Sequence, residues 1–296
     1  LGDVYKRQAR TTSLSGFPEW LPEERIVEQH VLDSLRRTFE LHGFTSIETR
    51  AVETVEQLLR KGEIDKEVYG VSRLQQDEED SSKEGALALH FDLTVPFARY
   101  VVENNGYLTF PFRRYQIQKV WRGERPQEGR AREFTQADVD VVGDGTLPFR
   151  YDVELALVMI DALSALPIPP FVLRVNNRKL AEGFYRGIGL EDAPAVLREI
   201  DKLEKIGADA VARNLQDAVG ASPEQARAAL ALAEIRTEDT SFVEQVRALG
   251  QTNELLEEGL AELAEVVGEA ARRAPGKVVA DLSIARGLDY YLSLIH

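Results

Sequence analysis

A chain of 296 residues is long enough to bury a sizeable core and leads us to expect one large domain or a domain carrying an insertion. Its 44% hydrophobic and 29% charged residues are ordinary for a water-soluble globular protein, and no apolar run reaches the ~18 residues of a membrane span. A net charge of −14 excludes a surface that attracts nucleic acid everywhere, so a phosphate-bearing partner has to be met at a local site.

Residues 1–20 lack the charged start and apolar stretch of a secretory signal. LGDVYKRQ at the front and SLIH at the back fit none of the patterns between them, and residues 1–8 and 293–296 are read as non-native ends, resembling translated sequencing-adaptor remnants on a fragment of a longer protein. From Pro22 to His42, Ile26, Val27, Val31, Leu35 and Phe39 recur largely at helical spacing, with Pro22 near the start and Gly43 as the stop. FTSIETRAVE (44–53) alternates as one strand should, and EQLLRKG follows as a short helix ended by Gly62. EVYGVSRL (67–74) and GALALHFDLTV (85–95) predict two strands joined by an acidic, solvated hairpin loop.

Pro96 opens a helix over PFARYVVEN, and RRYQIQKVWRGE alternates as a strand whose antiparallel mate is FTQADVDVVG. YDVELALVMIDALSAL (151–166) has the length and period of a helix with a buried face, broken by Pro167, Pro169 and Pro170. FVLRVNN (171–177) predicts a strand. The composition then shifts to Ala, Glu, Leu and Arg, and 178–274 reads as an all-helical insertion. Within it, SPEQ (222–225) carries a capping-box pattern, and Leu255, Leu256, Leu260, Leu263, Val266 and Val267 line one face of a last helix. KVVADLSIARGLDYY (277–291) returns to strand pattern, as if the chain rejoined an earlier sheet.

The chemistry concentrates in WRGERPQEGRAREFTQADVDVVG (121–143). Residues two apart on a strand share a face, so Arg122, Glu124, Phe134, Gln136, Asp138 and Asp140 are expected on one patch. Arginine suits phosphate oxygens because its planar donors bind them bidentately and it stays charged. Glu124 then suits either an adenine edge or the task of orienting the arginine, Phe134 suits a stacked base and the loop residue Arg130 the outer phosphates. The spacing alone equally allows a charged hairpin whose arginines pair with its own carboxylates, at ~0–1 kcal/mol per exposed pair. Asp92 and Thr94 in HFDLTVP, and Arg286, Asp289, Tyr290 and Tyr291 in ARGLDYY, add polar groups to segments that read as buried strands, where they cost stability unless something pairs with them.

Together these three segments resemble the class II aminoacyl-tRNA synthetases, and among them the histidyl-tRNA synthetase family, over about Gly16 to Tyr291. The 121–143 stretch is similar to the second class motif, ARGLDYY to the histidine-specific RGLDYY signature, and HFDLTVPFAR to the loop that meets the histidine amino group. The resemblance implies an α+β fold, a class II antiparallel sheet flanked by helices with an all-helical insertion. Residues 14–177 and 275–291 would form the catalytic core, and 178–274 would be the insertion that contacts the tRNA acceptor end. It implies a homodimer joined through the first long helix and the strand after it, working in the cytoplasm, with tRNA(His), L-histidine, ATP and Mg²⁺ as partners. The implied activity is activation of histidine to histidyl-adenylate and its transfer to tRNA(His).

Residue by residue, the resemblance implies Arg122 on the α-phosphate, Glu124 at the adenine, Arg130 on the outer phosphates and Phe134 on the base. Arg286 would flank the reacting centre opposite Arg122. Asp92, Thr94 and Gln136 would hold the histidine amino and carboxylate groups, and Asp140 with Tyr290 and Tyr291 would read the imidazole. Zero cysteines and the scattered His30, His42, His90 and His296 suggest no protein metal site and fit a reducing compartment. Two positions depart from the pattern: Arg50-Ala51 stands where a proline is common, and His90 where an arginine is common. The third class motif would lie after Tyr291, so the expectation is that the chain as it stands lacks useful adenylation activity. The rival resemblance is the regulatory subunit of ATP phosphoribosyltransferase, a binding protein that has no need of the complete reactive set. A helical scaffold with an acidic surface would leave the polar strand residues without partners.

Overall fold

The computed structural model describes residues 12–59, 68–73, 86–284 and 294–295. It divides into two compact units, Leu1–Leu147 and Pro148–His296.

In the first unit, helix α1 (Pro22–Leu41) opens with Pro22 at its first position, and the Glu24 carboxylate accepts from the Leu21 amide at 2.9 Å. Gly43 ends it at φ +77, a conformation that only glycine adopts without strain. Phe39 packs on Tyr115 with ring centroids 5.6 Å apart, and the Tyr115 hydroxyl donates to Glu40 at 2.8 Å. The expected single strand over 44–53 is instead two: β1 (Thr45–Ser46) runs parallel to the strand Phe112–Trp121, and β2 (Val52–Thr54) runs antiparallel to the strand Leu87–Leu89. Between them the Gln118 side chain takes the place of a neighbouring strand, its Nε2 donating to Thr49 O at 2.7 Å and its Oε1 accepting from Thr49 N at 3.3 Å.

After β2 come α2 (Val55–Leu59), β3 (Gly70–Val71) and β4 (Leu87–Leu89), with order β2-β4-β3 in their sheet. Gly62 and the acidic loop lie outside the described residues. HFDLTV is not a strand. Pairing stops at Leu89, residues 91–93 bend, and α3 (Thr94–Asn104) begins two residues before Pro96, with Asp92 Oδ1 accepting from Val95 N at 3.4 Å. A 3₁₀ turn at Asn105–Tyr107 leads to β5 (Phe112–Trp121), which pairs with β6 (Glu133–Val142) over ten residues, Phe112↔Val142 to Trp121↔Glu133.

In the second unit, α4 (Arg150–Ser164) and β7 (Leu173–Asn177) precede the helical segment: α5 (Arg178–Gly187), α6 (Ala193–Ile200), α7 (Leu203–Ile206), α8 (Ala208–Val219), α9 (Pro223–Ala233), α10 (Phe242–Ala248) and α11 (Glu254–Arg273). The segment is not wholly helical. β8 (Arg236–Thr237) pairs antiparallel with β9 (Val278–Asp281), which itself lies parallel to β7; β10 (Leu294–Ile295) completes the order β10-β7-β9-β8. The parallel pairings of β1 with β5 and of β7 with β9 make two of the sheets mixed rather than purely antiparallel.

The capping box forms as its sequence requires, Ser222 Oγ accepting from Gln225 N at 3.2 Å and Gln225 Oε1 from Ser222 N at 2.8 Å. Helices α5 and α11 are tied at both ends by their caps. Asn177 caps α5 and donates to Glu262 at 2.8 Å; Asn253 caps α11 and donates to Gly183 O at 2.8 Å. The core around them holds Phe184, Tyr185, Leu256, Leu260 and Leu263.

Candidate functional site

The β5–β6 ladder decides which side chains share a face. Its register sets Val120 opposite Phe134, Gln118 opposite Gln136, Gln116 opposite Asp138 and Arg114 opposite Asp140. Opposed residues of an antiparallel pair point the same way. One face therefore carries Arg114, Gln116, Gln118 and Val120 beside Phe134, Gln136, Asp138 and Asp140.

Strand β5 ends at Trp121, so Arg122 and Glu124 do not continue the strand period as the alternation suggested. One more bond, Arg122 N to Arg132 O at 2.8 Å, aligns Arg122 before the loop leaves the ladder. The loop closes in a tight turn: Gln127 and Arg130 exchange backbone bonds of 3.1 and 2.9 Å, and Gly129 sits at φ +73. Residues 15–16 brace it from the side, Gly16 O accepting from Arg132 N at 2.7 Å and Glu133 N at 3.1 Å.

Arg122 is half-buried. Its Nε donates to Phe91 O at 3.1 Å, its Nη2 to Gln136 Oε1 at 3.4 Å, and its guanidinium carbon lies 5.0 Å from the centre of the Phe134 ring. Among the described residues no carboxylate pairs with it. This separates it from the charged-hairpin alternative. Arg130 does face Glu124, at 3.6 Å, but both are exposed, a pairing worth little in water.

Arg122, Glu124, Arg130 and Phe134 all line one cavity of about 1880 Å³, whose other walls include Phe17 and Trp20. The remaining expected site residues of this unit lie outside that lining. Asp92 is buried at the turn before α3 and Thr94 is the first residue of that helix. Gln136 reaches Arg122 and Asp138, and Asp140 pairs with the fully buried Arg114 at 2.5 Å, whose guanidinium carbon sits 4.0 Å from the centre of the Phe97 ring. Burial pushes the Asp138 carboxyl above the ordinary aspartate value; Arg114 pulls it down, Asp140 and Asp92 push it up, and the Gln136 bond lowers it. Arg286, Tyr290 and Tyr291 lie outside the described residues.

Two buried polar residues of this face escaped the sequence reading: Arg114 and Gln116. The signal was present, since they share the period of Arg122, Gln136 and Asp140. Arg113-Arg114 reads as a charged strand end, yet Arg114 is fully buried while Arg113 lies 4.5 Å from the Phe44 ring centre. His90 has a structural part. Its Nε2 lies 2.8 Å from Lys119 O, its amide donates to Ala51 O at 2.9 Å, and its carbonyl accepts from Trp121 N at 3.2 Å, which stitches the end of β4 to β5 next to Asp92.

Comparison with known proteins bears on what this face is for. The family model described as histidyl-tRNA synthetase matches residues 16–295. The chain is 73% identical to the histidine–tRNA ligase of Micrococcus luteus, over 97% of this chain and 65% of that one. It is 58% identical to that of Cutibacterium acnes, over 97% and 64%. The chain thus spans about 65% of the length of the curated relatives it matches. The crystal structure of histidyl-tRNA synthetase from Nostoc sp. PCC 7120 superposes with a TM-score of 0.82 at 35% identity, covering 96% of this chain and 63% of that one. A match along nearly the whole chain, joined to a fold and sequence this similar, leads to one assignment: the chain belongs to the histidyl-tRNA synthetase family.

Proposed function

We propose that the chain carries the activation site of a histidine–tRNA ligase, which joins L-histidine to ATP as histidyl-adenylate and passes the histidyl group to tRNA(His). The observation that carries this reading is Arg122, a half-buried cation held by two neutral oxygens at the wall of a cavity it shares with Glu124, Arg130 and Phe134. In adenylate formation a histidine carboxylate oxygen attacks the α-phosphorus and pyrophosphate leaves. Repulsion between the two anions is the obstacle, and a preorganised cation relieves it. A guanidinium already committed to a carboxylate would do so poorly.

Glu124 holds the adenine edge, Arg130 exchanges its exposed partner for the outer phosphates, and the base stacks on the face of Phe134 that Arg122 does not cover. Asp92, Thr94 and Gln136 hold the histidine amino and carboxylate groups. Asp140, anchored by Arg114, reads the imidazole. A site built to hydrogen-bond the ring leaves its polar groups unpaired with an apolar rival. Mg²⁺ enters as part of the MgATP substrate, on phosphate oxygens.

In the same reading, 178–274 meets the acceptor end of the tRNA, 14–177 and 275–291 form the catalytic core, and the enzyme works in the cytoplasm as a homodimer. The exposed Leu21, Ile26 and Val27 of the α1 region support that dimer contact. Thermal unfolding with MgATP and L-histidine tests the reading. A ligand that binds only the folded chain raises its melting temperature, by about 2.7 kcal/mol of added stability at a hundredfold excess over Kd. The reading predicts a larger rise with both ligands than with either, and is contradicted if neither ligand moves the transition.

A further inference from the structure

Gln136 stands between two groups of opposite hydrogen-bonding type. Its Oε1 accepts from Arg122 Nη2 at 3.4 Å, while its Nε2 donates to Asp138 Oδ1 at 3.2 Å and Oδ2 at 3.4 Å. A primary amide has one accepting end and one donating end, so a single flip suits both neighbours. The reverse flip would face NH₂ with the guanidinium and carbonyl with the carboxylate.

We infer that Asp138 is a positioning residue that fixes the flip of Gln136 and, through it, holds Arg122 toward the cavity. The inference rests on the nucleotide site proposed above. Neighbouring groups direct Asp138 to this task. Across the strand pair, Gln116 Nε2 is committed to Gln118 at 2.6 Å and Thr49 at 2.9 Å. Arg114, the cation facing Asp138 from β5, is paired with Asp140 at 2.5 Å, and the other charged group facing it, Asp92, is an acid that cannot replace Gln136 as donor. The Asp138 carboxylate thus takes the amide of Gln136, two residues along its own strand face, and the Arg122–Gln136–Asp138 chain links the proposed phosphate cation to the proposed histidine groups.

Two measurements on Asp138→Ala and Asp138→Asn test this, with Asp138→Leu filling the volume if alanine does not fold. The first is the side-chain amide resonance of Gln136 in an amide NMR spectrum, assigned by its absence in Gln136→Glu. It should move in Asp138→Ala or Leu and stay near the parent position in Asp138→Asn, which keeps an accepting oxygen. The second is calorimetric titration with MgATP and with adenosine. Losing the lock should weaken MgATP about tenfold, the scale of one hydrogen bond to a charged group, and leave adenosine unchanged. Asparagine should restore MgATP. A merely structural residue would weaken both ligands alike, and that result, or a Gln136 resonance unmoved in alanine and leucine, overturns the inference. If the parent chain binds neither ligand, the nucleotide site is contradicted, and the Gln136 resonance alone then decides whether Asp138 sets the flip.

Discussion

Gly259 of α11 lies against the backbone of Leu180 in α5, so closely that a methyl group on it would fall 2.2 Å from the Leu180 amide nitrogen. Gly183 of α5 meets Leu256 of α11 in the same way, at 2.5 Å. Two glycines let the helix backbones touch, and the Asn177 and Asn253 caps reach across the contact. Gly259→Ala should cost about 3 kcal/mol, because backbone cannot move aside as a flexible side chain can. Gly268, in the same helix, has nothing nearer than 3.6 Å, and alanine there should stabilise by about 0.5–1 kcal/mol through helix propensity. Urea unfolding of the two variants should give shifts of opposite sign.

Tyr185 is fully buried in the core of the second unit, and its hydroxyl has no hydrogen-bond partner among the described residues. A buried unpaired donor costs about 1–3 kcal/mol, so Tyr185→Phe should be neutral to stabilising by about 1 kcal/mol. A clear loss of stability in thermal or urea unfolding would show that the hydroxyl is paired.

Asp281 is buried at the end of β9 and accepts from Arg174 Nε at 2.7 Å, Arg236 Nε at 2.5 Å and Ser283 Oγ at 2.6 Å. Burial alone would raise its carboxyl, but Ser283, Arg174 and Arg236 outweigh burial and hold it below the ordinary range. A depressed folded value means the stabilisation is present above the unfolded value of about 3.9 and is lost as pH falls through the folded one. Asp281→Asn should therefore cost about 1–3 kcal/mol at neutral pH, moderated by the partial exposure of both arginines. The gap between parent and variant should shrink as pH falls below about 4. A gap that does not change with pH would contradict the account.

The elements that sequence reveals best here are those whose signal is local. The Pro22 start and Gly43 stop of α1, the Ser222 capping box and the alternation of β5 with β6 each depend on residues a few places apart. Long-range effects account for the differences. HFDLTV alternates like a strand, yet pairing ends at Leu89 and the Asp92 carboxylate bonds to the Val95 amide, which starts a helix. FTSIETRAVE also alternates, but its two halves pair with different strands because Gln118 occupies the gap at Thr49. Arg236–Thr237 form a strand inside a helical composition because Asp281 draws Arg236 to β9. In the site, the residue types of 121–143 pointed to phosphate, whereas the pairing of Asp140 with Arg114 needed the register of two ten-residue strands.

We propose Arg122 as an anion-binding cation kept apart from the carboxylates of the described residues. This claim is tested most directly by calorimetric titration of MgATP into the parent chain and Arg122→Ala. Removing a charge-assisted bidentate contact of about 2–3 kcal/mol should weaken binding roughly 30- to 150-fold while leaving the unfolding transition nearly in place. Equal MgATP affinity in the two proteins would contradict the claim.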